Sequence, residues 1–203
     1  MSHQYKLTYF NVMGLGEPIR FLLSYGGNKF EDIRVDRQNE WPKMKPDTPF
    51  GQLPILEIDG EIYCQSVPIC RYLAKQLDLI GKTDLDALRI DSIVEALYDL
   101  RKQVALFYRE TNPQIAAAKK DQVLTEVLPF YLNKLNNLAN NGYFVDGQLS
   151  YADIFFAAIH DSLANACGIE ITKGYENLKK IRENVLSIPK IKEWVDKRPK
   201  LEF

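Results

Sequence analysis

The spacing of hydrophobic positions changes character once along the chain, near residue 80. Before that point, strand and helix signals alternate. Residues 6–10, rich in aromatic and β-branched side chains, predict a strand. Glu17–Tyr25, with Pro18 near its start and Gly26-Gly27 at its end, predicts a helix. Phe30–Val35 predicts a second strand, and parallel pairing through the helix makes a right-handed βαβ unit. Ile55–Ile58 and Glu61–Cys64 flank Asp59-Gly60, a strong signal for a tight hairpin. Pro54 sits in a turn immediately before a strand, a setting in which an X-Pro bond becomes cis at small cost. Ser66-Val67-Pro68 predicts the start of a helix over 67–77, with Ser66 as its N-cap and proline in its first turn.

After Thr83 the period is helical throughout. Leu85, Ile93, Leu97, Leu100, Val104 and Phe107 trace one face of a long helix, and Thr83 with Asp86 has capping-box spacing at its start. Asn112-Pro113 predicts a break. Val123, Val127, Tyr131, Leu135 and Leu138 mark the next helix, which Asn141-Gly142 ends. Ser150 and Asp153 form a second N-cap pair, with Leu149 and Ile154 placed as a hydrophobic staple. The run Ile154-Phe155-Phe156-Ala157-Ala158-Ile159 predicts a helix buried at the centre of this half, and Ile188-Pro189 separates the last two helices. The order β-α-β, β-β-α followed by helices alone predicts α/β plus all-α architecture. Residues 1–80 are expected to form a thioredoxin-like domain with a mixed four-stranded sheet, and 83–203 a helical bundle, with the boundary at 78–82. No repeat or low-complexity tract interrupts this pattern.

Composition narrows the picture mainly by exclusion. The 203 residues carry 26 Lys plus Arg against 27 Asp plus Glu, a net charge of −1 that asks for neither nucleic acid nor an anionic membrane. No apolar run approaches a membrane span, and Met1 to Lys6 lacks the apolar core of a signal peptide. Cys64, Cys70 and Cys167 are odd in number and contain no Cys-x-x-Cys, which predicts free thiols in a reducing compartment, as small buried hydrophobes. With only His3 and His160 beside them, no metal-ligand set is visible. The expectation is a soluble, cytoplasmic, metal-free protein.

The candidate chemistry lies where the hairpin meets the helix after it. A strand edge and a helix N-terminus brought close together suit an extended peptide, held by its backbone and by its carboxylate.

Tyr5-Lys6-Leu7-Thr8-Tyr9-Phe10, Gly16-Glu17-Pro18-Ile19-Arg20, Trp41-Pro42, the Pro54 turn, Gln65-Ser66 and Ser150-Tyr151-Ala152-Asp153 together resemble the glutathione S-transferase family over the whole chain. In detail they look like its sigma class, in the invertebrate branch related to the haematopoietic-type prostaglandin D synthases. The resemblance implies a homodimer that conjugates the thiolate of glutathione, its co-substrate, to hydrophobic electrophiles, and that reduces lipid hydroperoxides. No bound cofactor is implied.

Tyr9 matches the catalytic tyrosine, whose hydroxyl donates to the sulfur and stabilises the anion. Gln65 and Ser66 match residues that hold the γ-glutamyl end, and Leu53 before Pro54 matches the backbone that pairs with the cysteinyl unit. Trp41 and Lys45 match contacts to the glycyl end, and Gln52 joins this glutathione-binding set. Asp99 matches an aspartate that reaches the γ-glutamyl amine across a dimer interface. Phe50 lies where several classes insert an aromatic into the partner, and burial within its own domain is the other reading. Asp153 is expected to be structural.

Prostaglandin-isomerising members carry arginine where this chain has Leu15 and lysine where it has Gln52. They also carry a tryptophan in the stretch here read as Val104-Ala105-Leu106-Phe107. These departures imply a more apolar electrophile pocket, assigned to Met13, Leu15, Leu106 and Phe107. The alternatives are a glutathione-dependent prostaglandin D synthase and a crystallin-like structural protein with vestigial activity. A thioredoxin-type dithiol mechanism is excluded, because residues 11–14 contain no cysteine.

Overall fold

A computed structural model describes residues 3–200. Strand β1 (Tyr5–Phe10) leads through helix α1 (Glu17–Tyr25) to β2 (Phe30–Val35), which pairs parallel to β1. A short helix α2 (Trp41–Met44) and two single 3₁₀ turns follow. The hairpin of β3 (Ile55–Ile58) and β4 (Glu61–Cys64) then pairs antiparallel through β3 to β1, so the sheet order is β2-β1-β3-β4. At the hairpin tip Asp59 and Gly60 both have positive φ, 51° and 93°, as its tight turn requires. Helix α3 (Ser66–Gln76) packs beside α1 on the sheet. This is the mixed four-stranded, thioredoxin-like unit expected from the pattern.

The rest is helical: α4 (Asp84–Tyr108), α5 (Pro113–Gln122), α6 (Leu128–Leu138), α7 (Tyr151–Cys167), α8 (Glu176–Leu186) and α9 (Pro189–Lys197). Both expected capping boxes are formed, Thr83 with Asp86 and Ser150 with Asp153. Asp153 is wholly buried; its carboxylate accepts from the Ser150 N–H and hydroxyl and from the Phe144 N–H at 2.7–2.8 Å, a structural role. Helix α7 runs through the middle of the core, against α1, α4 and α8, with Phe155 and Phe156 essentially inaccessible. Each such aromatic contributes roughly 1.5–3 kcal/mol by burial.

Between α5 and α6 the helix does not break but widens into one π turn, Val123–Val127, with the Leu128 N–H bonded to the Val123 carbonyl. The wide turn lies just before Pro129, whose ring in a regular helix would strike the carbonyl of Thr125.

Several expectations require correction. Leu85 and Leu138 are exposed (64% and 56%), not part of the helix faces that enter the core. Cys70 and Cys167 are buried but Cys64 is only half-buried, because it ends an edge strand. Phe50 is 81% exposed, which removes the reading that buries it within its own domain.

Sheet and helical layers are joined by a chain of charges. Glu17, 1% exposed, accepts from Arg20 Nη1 (3.0 Å), from Trp194 Nε1 and from Arg198 Nη1 (both 2.8 Å). Arg198 continues to Asp161, which also accepts from Arg182, each at 2.8 Å. Burial works against ionised Asp161, but hydrogen bonds from His160, Arg182 and Arg198 outweigh it and hold the carboxyl well below its ordinary range. On the other side, the Tyr151 hydroxyl of α7 donates to Asp91 of α4, which pairs with Arg71 of α3 at 2.9 Å.

Candidate functional site

Strand register assembles the site. Thr8 pairs with Ile55 and Ile55 with Cys64, so the next residues along, Tyr9, Pro54 and Gln65, stand in a row at one end of the sheet. Three of the sequence-predicted positions, spread over 57 residues of chain, are thereby neighbours through backbone pairing alone.

Tyr9 is 3% exposed, and its hydroxyl oxygen accepts a hydrogen bond from the Leu15 N–H at 3.1 Å. A phenol has one proton to give and lone pairs to receive. With a lone pair engaged by Leu15, the proton remains available to a group arriving from the open side. The loop after β1 is shaped around this ring. A Cβ at Gly14 (φ 41°) would lie 2.7 Å from the hydroxyl, and one at Gly16 would lie 2.6 Å from Cδ1, so both positions need glycine's lack of a side chain. Arg20 anchors the loop by donating to the Val12 carbonyl at 3.0 Å, and its guanidinium lies 6.0 Å from the Tyr9 ring centroid.

The Leu53–Pro54 peptide is cis, and Leu53 is half-buried just ahead of β3. At the far end of the row the predicted cap is corrected. Gln65, not Ser66, is the N-cap of α3, with φ 72° and ψ 110°, while Ser66 is the first helical residue. A non-glycine residue in this region is strained by about 1–3 kcal/mol, and such strain concentrates at functional positions. Ser66 is buried, with no partner for its hydroxyl among the described residues. The first bond inside the helix runs from the Ile69 N–H to the Gln65 carbonyl, so the Ser66 and Val67 N–H groups point beyond the helix end. That end suits a carboxylate.

Trp41, half-buried on α2, packs edge-on against Phe10 at 5.5 Å, and Phe10 directly follows Tyr9. Lys45 is exposed and lies over Gly51, where an added Cβ would be 3.3 Å from its Cε, one residue from Gln52. The extended segment 52–54 is thus bordered by a lysine on one side and by Tyr9 and Gln65 on the other.

The remaining predicted residues are more scattered. Asp99 is half-exposed on α4 and pairs with Lys102 at 2.7 Å. Met13 is buried and lines a polar cavity of about 360 Å³ with His160, Asp161 and Arg198. Leu15 is half-buried against the core, Phe107 is within it (6% exposed), and Leu106 is 55% exposed.

The sequence reading missed Arg101. It is 9% exposed on the apolar face of α4, among Leu97, Leu100 and Val104, and among the described residues it has no hydrogen bond and no ion pair. Burial pushes its pKa down and attraction to Tyr9 opposes this, though a guanidinium keeps its charge throughout. The signal was available: an arginine interrupting an otherwise apolar helical stripe.

The chain matches two family models, "Glutathione S-transferase, N-terminal domain" over residues 5–75 and "Glutathione S-transferase, C-terminal domain" over residues 98–198. It is 43% identical over 197 residues to a glutathione S-transferase of Anopheles gambiae, covering 96% of this chain and 97% of that one. It is 39% identical over 204 residues to glutathione S-transferase S1 of Drosophila melanogaster, covering 100% of this chain and 82% of the relative. Among solved structures it superposes on prostaglandin synthase D of Nilaparvata lugens with a TM-score of 0.93 and 41% identity, over 98% of this chain and 100% of the other.

Proposed function

The chain belongs to the glutathione S-transferase family, an enzyme family with glutathione as co-substrate, and we propose that its sheet-end row is the glutathione site, with Tyr9 as the catalytic residue. The observation that carries this assignment is the Leu15 N–H bond to the Tyr9 hydroxyl, which leaves the phenolic proton free to donate to sulfur. Gln65 and the α3 N-terminus at Ser66 take the γ-glutamyl carboxylate, and the Leu53 backbone pairs with the cysteinyl unit. Lys45, Trp41 and Gln52 border the glycyl end. Residues 1–80 make the glutathione unit, and the electrophile side is assigned to Met13 and Leu15 in the loop after β1 with Leu106 and Phe107 at the end of α4, in the unit 83–203.

The chemistry is nucleophilic addition. The S–H bond of glutathione breaks heterolytically, its proton leaves to solvent, and the thiolate carries the electron pair into a new S–C bond. With an aryl halide the halide departs with the C–halogen pair; with an enal the carbonyl oxygen takes the charge and then a proton. The protein supplies the hydrogen bond to sulfur and the proximity of the two reactants.

A sigma-class, cytosolic homodimer completes the reading. Phe50 projects into solvent with φ 54°, Ile62 is exposed on the edge strand β4, and Tyr63 and Tyr72 line a groove of about 460 Å³ beside it, surfaces suited to a second copy. In such a dimer Asp99 serves the partner's γ-glutamyl amine. The three free thiols are in keeping with a reducing compartment.

The test is conjugation of glutathione to chlorodinitrobenzene by this chain and by Tyr9→Phe. Loss of about 10²–10³ in kcat/KM with glutathione binding retained is expected, the scale for removing one donor to a developing anion. Unchanged activity in the variant removes Tyr9 from the mechanism. A second reading, glutathione-dependent isomerisation of a prostaglandin endoperoxide, draws on the likeness to the Nilaparvata lugens structure. Product analysis with that substrate separates the two.

A further inference from the structure

We propose that Arg20 is a positioning residue for the reaction: a buried strut that holds the Tyr9 ring and the Leu15 N–H in the alignment that aims the phenolic proton at sulfur. The proposal rests on the assignment of Tyr9 as the catalytic residue and says what keeps it in place.

Arg20 is wholly buried on α1, and its guanidinium binds β2, the start of α1 and the loop after β1. Nε donates to Asp32 of β2 at 2.9 Å. Nη1 donates to Glu17 and to the Val12 carbonyl, both at 3.0 Å. Val12 belongs to the same loop as Leu15, whose N–H meets the Tyr9 hydroxyl at 3.1 Å. The guanidinium carbon lies 6.0 Å from the centroid of the Tyr9 ring, within reach of a cation–π contact. Arg20 is thus bonded to the loop that carries the donor and borders the ring that carries the acceptor. Gly16 shows how closely the two side chains approach, since a Cβ there would lie 2.6 Å from Tyr9 Cδ1 and 3.2 Å from Arg20 Nη1.

The task needs a guanidinium. Its N–H groups diverge in a fixed fork, so one cation serves two carboxylates and a carbonyl at once, whereas an ammonium is a compact point charge. Charge is not the main contribution, because Glu17 and Asp32 neutralise Arg20. What reaches Tyr9 is placement, and a reacting group displaced by about 1 Å loses up to about 10² in rate. When glutathione ionises, the S–H electron pair stays on sulfur and the proton passes to water; Arg20 neither gives nor takes a proton.

The test measures kcat for chlorodinitrobenzene at saturating glutathione in two backgrounds, the unmodified chain and Tyr9→Phe. Arg20→Lys keeps the charge and loses the fork. Arg20→Met combined with Asp32→Asn removes one cation with one anion and leaves Glu17 paired with Arg198 at 2.8 Å, which covers the case in which the lysine variant does not fold. A thermal melt and calorimetry show that each variant folds and binds glutathione. With the Tyr9 hydroxyl present, each is expected to lose about tenfold, part of the 10²–10³ that one such donor carries. In the Tyr9→Phe background each should lose less than about twofold, because the hydroxyl it positions is gone. The midpoint of thiol ionisation, read from thiolate absorbance in the protein–glutathione complex, should rise by about one unit, the same tenfold. An equal loss in both backgrounds, or an unchanged midpoint in a folded variant that binds glutathione, overturns the proposal and leaves Arg20 a structural residue. Full activity in Tyr9→Phe overturns the Tyr9 assignment itself, and Arg20's role with it.

Discussion

Gly16→Ala tests the placement of the Tyr9 ring. Gly16 has φ −77° and ψ −29°, a conformation alanine adopts freely, so the backbone opposes nothing. The added methyl would lie 2.6 Å from Tyr9 Cδ1, 2.9 Å from Cγ and 3.2 Å from Arg20 Nη1. Carbon atoms rest at about 3.5–4.0 Å, so the ring must retreat by roughly 1 Å. It cannot retreat freely, because it is buried and Gly14 closes against its hydroxyl. Overpacking of this kind costs about 1–3 kcal/mol of stability. Displacing a reacting group by that distance costs about 10² in rate, about 2.7 kcal/mol at the transition state. The assay is kcat/KM for chlorodinitrobenzene at saturating glutathione, alongside calorimetric glutathione affinity and a thermal melt. The variant should stay folded, bind glutathione, and lose about two orders of magnitude. Combined with Tyr9→Phe it should lose little more, because both changes remove the same hydrogen bond. A folded Gly16→Ala protein within twofold of full activity would refute the claim that this loop fixes the ring.

Gln65→Gly is expected to separate stability from binding: relief of the φ 72° backbone should offset glycine's added flexibility, leaving the melting temperature equal or higher, while the glutathione KM rises severalfold. An unaltered KM would show that the Gln65 side chain is not a ligand contact. Asp161→Asn is expected to flatten the acid side of the stability curve. The folded carboxyl is held below its ordinary value of 3.8, so its contribution is full above that value and is lost as pH falls below it. Denaturant unfolding at several pH values should find the difference between the two proteins shrinking from about pH 5 downward; a constant difference refutes the linkage.

Most of the framework was legible because its signals are local. Asp59-Gly60 between two alternating runs, Thr83 with Asp86, and Ser150 with Asp153 each state a turn or a cap within four residues, and each formed. Periodicity served less well at helix ends. Leu85 lies eight residues before Ile93, which rotates it by about 80° from that face, and in the first turn no neighbour compensates. Leu138 is the last residue of α6, and a repeat assigns a face without saying where the packing partner stops.

The row of Tyr9, Pro54 and Gln65 was recognisable through family likeness, yet its cause is strand register, which depends on the whole sheet. The backbone of Gln65 could not be read at all. Positive φ is a glycine or asparagine habit, and here the β4–α3 junction imposes it on glutamine. Arg101 is legible as a charge set within the apolar stripe of α4.

Glu17 sets an order on the making of this protein. Its donors in α9, Trp194 and Arg198, lie 177 and 181 positions downstream. A ribosome adding about 5–20 residues per second takes roughly 10 to 35 s to reach them. Throughout that interval α1 carries an acid destined for the interior with only Arg20 beside it. The charge network that ties α1 to α9 therefore closes only once α9 has emerged.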